Sequence, residues 1–136
     1  MKKLLFLLIM AAITRIGYGQ QAAATTPAVV DVGVFEWDAQ TFDFGKIKQG
    51  VPVTHEFKFT NKGKVPLLIA NAQPSCGCTT PDWTRQPIAP GEKGFIKATF
   101  NAASAGAFNK SVTVTANVET GTVMLMIKGE VSPAVQ

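Results

Sequence analysis

Val53-Thr54-His55-Glu56-Phe57-Lys58-Phe59-Thr60 is the stretch whose reading decides the fold. Val53, His55, Phe57 and Phe59 share one phase, and Thr54, Glu56, Lys58 and Thr60 share the other. A strand turns successive side chains to opposite faces, so this period of two describes a half-buried strand. The pattern recurs downstream. Ile96, Ala98 and Phe100 alternate with Phe95, Lys97 and Thr99, and Val112, Val114, Ala116 and Val118 alternate with Ser111, Thr113, Thr115 and Asn117. Val123, Leu125 and Ile127 alternate with Met124, Met126 and Lys128. Leu67 to Ala70 is a short continuous apolar run, which suits a central strand covered on both sides. Val34 to Asp38 and Thr41 to Phe44 read as a paired opening strand with a kink.

Between these segments lies turn chemistry. Asn61-Lys62-Gly63-Lys64 joins two strands. Ala89-Pro90-Gly91-Glu92 puts proline and then glycine at the central positions, the type II pattern in which glycine takes a positive φ. Glu119-Thr120-Gly121 suits a three-residue hairpin loop with glycine in the left-handed region. No stretch carries a 3.6-residue apolar period. Short strands spaced in this way predict an all-β domain over residues 34–132, an immunoglobulin-like antiparallel β-sandwich of about seven strands. Residues 133–136 are read as a C-terminal tail, and residues 20–33, rich in Ala, Thr and Val, as a flexible leader.

At the N-terminus, Met1-Lys2-Lys3 precedes an unbroken apolar run from Leu4 to Ile13. Ten helical residues reach about 15 Å, half of a hydrocarbon core of ~30 Å, which is too short for a permanent span. The run fits a signal peptide over residues 1–19, with Gly17-Tyr18-Gly19 offering small residues before a cut. Export to the periplasm or cell surface is the expectation, with no transmembrane span in the processed chain. The split also explains the charge. The 136 residues carry a net +4, but Lys2, Lys3 and Arg15 lie in the first nineteen residues with no acid among them. Without them the chain is nearly neutral, which leaves no nucleic-acid footprint. Lys46, Lys48, Lys58, Lys62 and Lys64 read as solvated positions that discourage edge pairing.

The chemistry-bearing candidates are few. Cys76 and Cys78, the only cysteines, sit together in Pro74-Ser75-Cys76-Gly77-Cys78-Thr79-Thr80-Pro81, read as one loop. A local disulfide, a copper or zinc site of two thiolates with His55, and a redox-active pair all remain open. As a staple a disulfide here is weak, because closing a three-residue loop is worth roughly 1.6 kcal/mol. An exported setting favours it over free thiols. His55, the only histidine, lies on the inward phase and reads as a packed residue. No nucleophile elbow, phosphate-binding glycine loop or metal-binding histidine pair is present, so neither an enzyme nor a cofactor is expected. Phe95, Met124 and Met126 fall out of phase with the core residues of their strands and form the candidate interaction surface.

With strands and loop placed, the chain resembles a bacterial family catalogued as domain of unknown function 1573. The matching residues include Phe42-Asp43-Phe44-Gly45-Lys46-Ile47, Val53 through Gly63, Pro66-Leu67-Leu68-Ile69 and Ser75-Cys76-Gly77-Cys78-Thr79. Ile88 through Gly94, Gly106-Ala107-Phe108-Asn109-Lys110 and Ile127 through Val131 complete the pattern over about residues 34–132. The resemblance implies an immunoglobulin-type sandwich shared with major-sperm-protein and abnormal-spindle/hydin modules, and export in Gram-negative bacteria. It implies no settled activity, and it includes the cysteine loop in the family pattern. The expected function is a non-enzymatic envelope module that binds envelope or surface proteins. The alternative is a metal-binding or thiol-redox protein using the Cys-Gly-Cys loop.

Overall fold

The inward row of the strand quoted above continues one step further than its apolar residues, and that row organises the molecule. The computed structural model describes residues 31–135. The expected signal peptide and most of the expected leader lie outside the described residues. Eight strands form two four-stranded sheets packed as a sandwich, with no helix among the described residues. They are β1 (Phe35–Trp37), β2 (Thr41–Lys48), β3 (Val53–Asn61), β4 (Ile69–Pro74), β5 (Thr79–Trp83), β6 (Lys93–Phe100), β7 (Gly106–Ala116) and β8 (Thr122–Ser132). One sheet has the order β1-β3-β6-β5, and the other β2-β8-β7-β4.

The alternation works as expected in the long strands. Phe57 and Phe59 from β3, Ile96, Ala98 and Phe100 from β6, Val112, Val114 and Ala116 from β7, and Leu125 and Ile127 from β8 meet in one core. Burial of this apolar area is the main driving term, at about 25 cal/mol per Å². Phe100 stacks on Phe108 with ring centroids 4.1 Å apart, joining the two sheets at one place. Phe59 lies across from Gly94 in register, and its ring occupies the space a side chain there would need. A Cβ added at Gly94 would run into Phe59 Cζ. The expected turn at Gly91 is present, with φ +82° and Glu92 N donating to Ala89 O. Gly121 takes the expected positive φ, +72°, but the loop between β7 and β8 is longer than the three residues expected, with Gly121 N donating to Val118 O.

The expected β-sandwich is present, and several local expectations are corrected. The opening segments do not pair with each other: β1 joins β3 antiparallel, and β2 joins β8 in the opposite sheet. The chain crosses the rim of the sandwich between them, so Phe35 and Trp37 from one sheet and Phe42 and Phe44 from the other all pack on the common core. The β2–β8 pairing is parallel, as is the bridge from Gly33 to Val118, so the sandwich is not purely antiparallel and its hydrogen bonding begins inside the expected leader. Leu67 to Ala70 is not covered on both sides. Leu67 and Ile69 are buried while Leu68 is 47% exposed, and β4 is an edge strand with a register shift near its start. A short apolar run does not by itself distinguish one buried face from two.

Finally, the cysteine stretch is not all loop. Thr79–Trp83 forms β5, a strand beyond the seven expected, with Pro81 inside it. Proline lacks the N–H that an interior strand must donate, and β5 is an edge strand, where that loss is tolerated.

Candidate functional site

Each candidate residue can now be placed. Cys76 and Cys78 lie in the link that carries the chain from β4 in one sheet to β5 in the other, and their sulfurs are joined in a disulfide with Cα atoms 5.3 Å apart. The link is also tied by backbone. Ser75 N donates to Ser111 O at 2.9 Å, and Asn101 N donates to Cys78 O at 2.9 Å. Ser75 Oγ accepts from Ser111 N at 3.1 Å. Thr79 Oγ1 lies 3.9 Å from Cys76 Sγ.

His55 is not brought to the cysteines. It pairs with Ala98 on β6, and β5, which continues from Cys78, lies on the far side of β6. Its ring stacks on Phe42 at 3.7 Å and meets Phe57 edge-on at 4.5 Å. Burial pushes its pKa below the usual histidine value, and the neighbouring Glu56 carboxylate offsets part of that. Among the described residues, no three His, Cys, Asp or Glu side chains converge in a way that could hold a metal ion.

The three residues grouped as a surface divide between opposite faces of the sandwich. Phe95 is on β6 and the two methionines are on β8, in different sheets, because alternation reports a residue's phase but not its sheet. On the Phe95 face, Lys97 Nζ sits 5.1 Å from the Phe95 ring centroid and 3.6 Å from Glu56. The Lys97 ammonium therefore stands over that ring, and the face is charged. The opposite face differs. Met124 is 56% exposed and stands opposite Thr113, while Met126 lies between Thr41 and Ser111. Charge begins there with the Lys128–Asp43 pair, one row further along.

One residue of consequence was read only as a turn. Asn61 is fully buried, at 0% exposure. Its Nδ2 donates to Val65 O and Ile88 O, both at 2.8 Å. Its Oδ1 accepts from Gly63 N at 2.9 Å and Val34 N at 3.3 Å. Its backbone N donates to Glu92 O, and its backbone O accepts from Gly91 N. Asn61 thus ties the start of β1, the β3–β4 link and the turn before β6 to one point. The signal was present: counting by twos from Val53 reaches Asn61 on the inward phase.

A two-sheet β-sandwich with one strand pair crossing its rim is the class of module that this geometry defines. The sequence matches, over residues 35–131, the family described as "Protein of unknown function (DUF1573)", and the chain belongs to that family. Among solved structures it is similar to a protein of unknown function from Porphyromonas gingivalis, with TM-score 0.67 and 18% identity, covering 79% of this chain and 51% of that one. It is also similar to the ASH / PapD-like domain of human CEP192, with TM-score 0.59 and 12% identity, covering 76% and 89%. The secreted serine protease VesC from Vibrio cholerae gives TM-score 0.58 and 16% identity, covering 75% of this chain and 24% of the protease. The chain thus spans about half of the Porphyromonas protein and about a quarter of the protease. At these identities the likeness is one of fold. No curated protein matches the sequence. Among the described residues, no helix is long and apolar enough to cross a membrane.

Proposed function

We propose that this chain is a non-enzymatic module of the bacterial cell envelope, exported by its N-terminal signal and acting by binding an envelope or surface protein. Four features support the reading: the basic-then-apolar N-terminus, the near-neutral charge of the remaining chain, the family, and a fold whose members present faces, edges and loops. The observation that carries the partner assignment is the contrast between the two outer faces. One is occupied by the Glu56–Lys97 pair and its neighbours, and the other presents Met124 and Met126 among uncharged Thr and Ser side chains. A protein surface of matching uncharged, apolar chemistry fits the second face, since depletion of charge marks the centre of interfaces.

The test places a photo-crosslinking residue at Met124 or, as control, at Lys97 in the full chain expressed in a Gram-negative host. The expected result is a processed chain in the periplasmic fraction with a discrete protein adduct from position 124 and none from position 97. A chain retained unprocessed in the cytoplasm, or equal adducts from both positions, would overturn it.

A further inference from the structure

The disulfide is unusual in what it does not hold. It closes a ring with one residue between the cysteines, in a link tied on both flanks by the Ser75–Ser111 and Cys78–Asn101 hydrogen bonds. Thr79 is already in register with Phe100 directly after it. Closing a loop of only three residues removes little unfolded-state entropy, and the folded link is already held by these hydrogen bonds.

The surroundings of the two sulfurs differ. Cys78 lines a recess of about 210 Å³ with Phe100, Ala103, Phe108 and Lys110. Cys76 lies instead beside Thr79 Oγ1, the hydroxyl of a residue only 2% exposed, whose side chain makes no other hydrogen bond among the described residues. Gly77, at the apex of the ring, is exposed, and a Cβ there would meet no atom within 4 Å. The ring is therefore open at its tip, with a recess beside Cys78 and a hydroxyl beside Cys76 Sγ.

We propose that Cys76–Cys78 is a thiol–disulfide exchange site with a fixed polarity, taking a small peptide thiol or an exposed cysteine thiol of another protein as substrate. The incoming thiolate enters the recess and attacks Cys78 Sγ. A new S–S bond forms between the substrate sulfur and Cys78, and the Cys76–Cys78 bond breaks. Its electron pair stays on Cys76, which leaves as a thiolate and accepts a hydrogen bond from Thr79 Oγ1. Lys110 supplies a positive charge at the recess where the substrate thiolate arrives. A second substrate thiolate then attacks the substrate sulfur of the mixed disulfide, and Cys78 leaves as a thiolate. Two thiols are oxidised to one disulfide, and the protein's disulfide is reduced to two thiols, protonated from solvent. The reverse sequence reoxidises the pair. This inference does not rest on the proposed partner-binding face.

The oxidised full chain is incubated in millimolar glutathione, quenched by alkylation and read by intact mass, with circular dichroism recorded alongside. The expected result is conversion to the dithiol within minutes to hours with the β spectrum unchanged. Polarity is read with single variants exposed to oxidised glutathione. Cys76→Ser, which retains Cys78, forms the mixed disulfide about tenfold faster than Cys78→Ser, which retains Cys76. Thr79→Val slows reduction of the oxidised protein about tenfold, the effect of losing a hydrogen bond to a charged group, and Thr79→Ser restores it. A bond that resists millimolar thiol until the protein unfolds would overturn the proposal. So would equal rates for the two variants, or loss of the fold on either cysteine substitution, which would make the bond a staple.

Discussion

The two ends of β3 each turn a polar side chain into the sandwich, and the protein treats them in opposite ways. At one end Asn61 is wholly buried and meets a partner at every hydrogen-bonding position its amide offers in this geometry, two donated and two accepted. At the other end His55 is only partly buried, packed by faces and edges of Phe42 and Phe57. A neutral amide gains by deep burial when every lone pair and N–H is matched, because an unmatched group loses water without replacement. An ionisable ring packed against aromatics instead has its charged form penalised, which is the cause of its lowered pKa. One end is therefore a fixed tie and the other a proton-sensitive contact.

Substitution at the fixed tie gives the largest effect. Asn61→Asp keeps the shape but removes both donors and aims a carboxylate at the Val65 and Ile88 carbonyls. Urea unfolding is expected to show a loss of roughly 3 kcal/mol or more. A loss under about 1 kcal/mol would mean that the loops gathered there hold without it. Next comes the packing between the two ends. Gly94→Ala forces a methyl against the Phe59 ring and is expected to lower stability by about 1–3 kcal/mol. Adding Phe59→Leu should recover part of that loss, a non-additivity read from a double-mutant cycle.

At the proton-sensitive end the sign follows from the lowered pKa. The folded chain binds fewer protons at His55 than the unfolded chain as pH falls through the ordinary histidine range. The stabilisation is complete above that range, is lost as pH drops toward the lowered folded value, and levels off below it. Thermal unfolding at stepped pH is expected to show this loss in the wild type and not in His55→Phe. The smallest effect belongs to Glu56→Gln. It removes the charge that raises the His55 pKa, so the midpoint of the single histidine resonance should move to lower pH in an NMR titration. Stability should change by less than about 1 kcal/mol, because the Glu56 pairs with Lys97 and Lys58 are solvent-exposed. An upward move of that midpoint would show that Glu56 does not act on the ring.

Much of the fold was legible because it is written locally. The phases of β3, β6, β7 and β8 came from alternation, and the turns at Gly91 and Gly121 from residues suited to a positive φ. Asn61 was legible in part: its phase was there, but its four partners come from segments before and after β3. β5 was hidden by Pro81, which reads as a break until an edge position makes it acceptable. Phe95 and the methionines showed their phase and concealed that they face opposite ways.

From residue order alone came the all-β class, the strand phases, the tight turns and the confinement of both cysteines to one short segment. Those features depend on neighbours within a few positions, and a period of two or a proline–glycine pair records them directly. The tertiary structure alone decided that β1 and β2 enter different sheets, that β2 runs parallel to β8, and that Asn61 gathers three loops. It alone gave Cys76 and Cys78 unlike surroundings. These depend on which distant segments meet, and strands of equal phase and similar apolar content do not distinguish their partners until the whole core is packed.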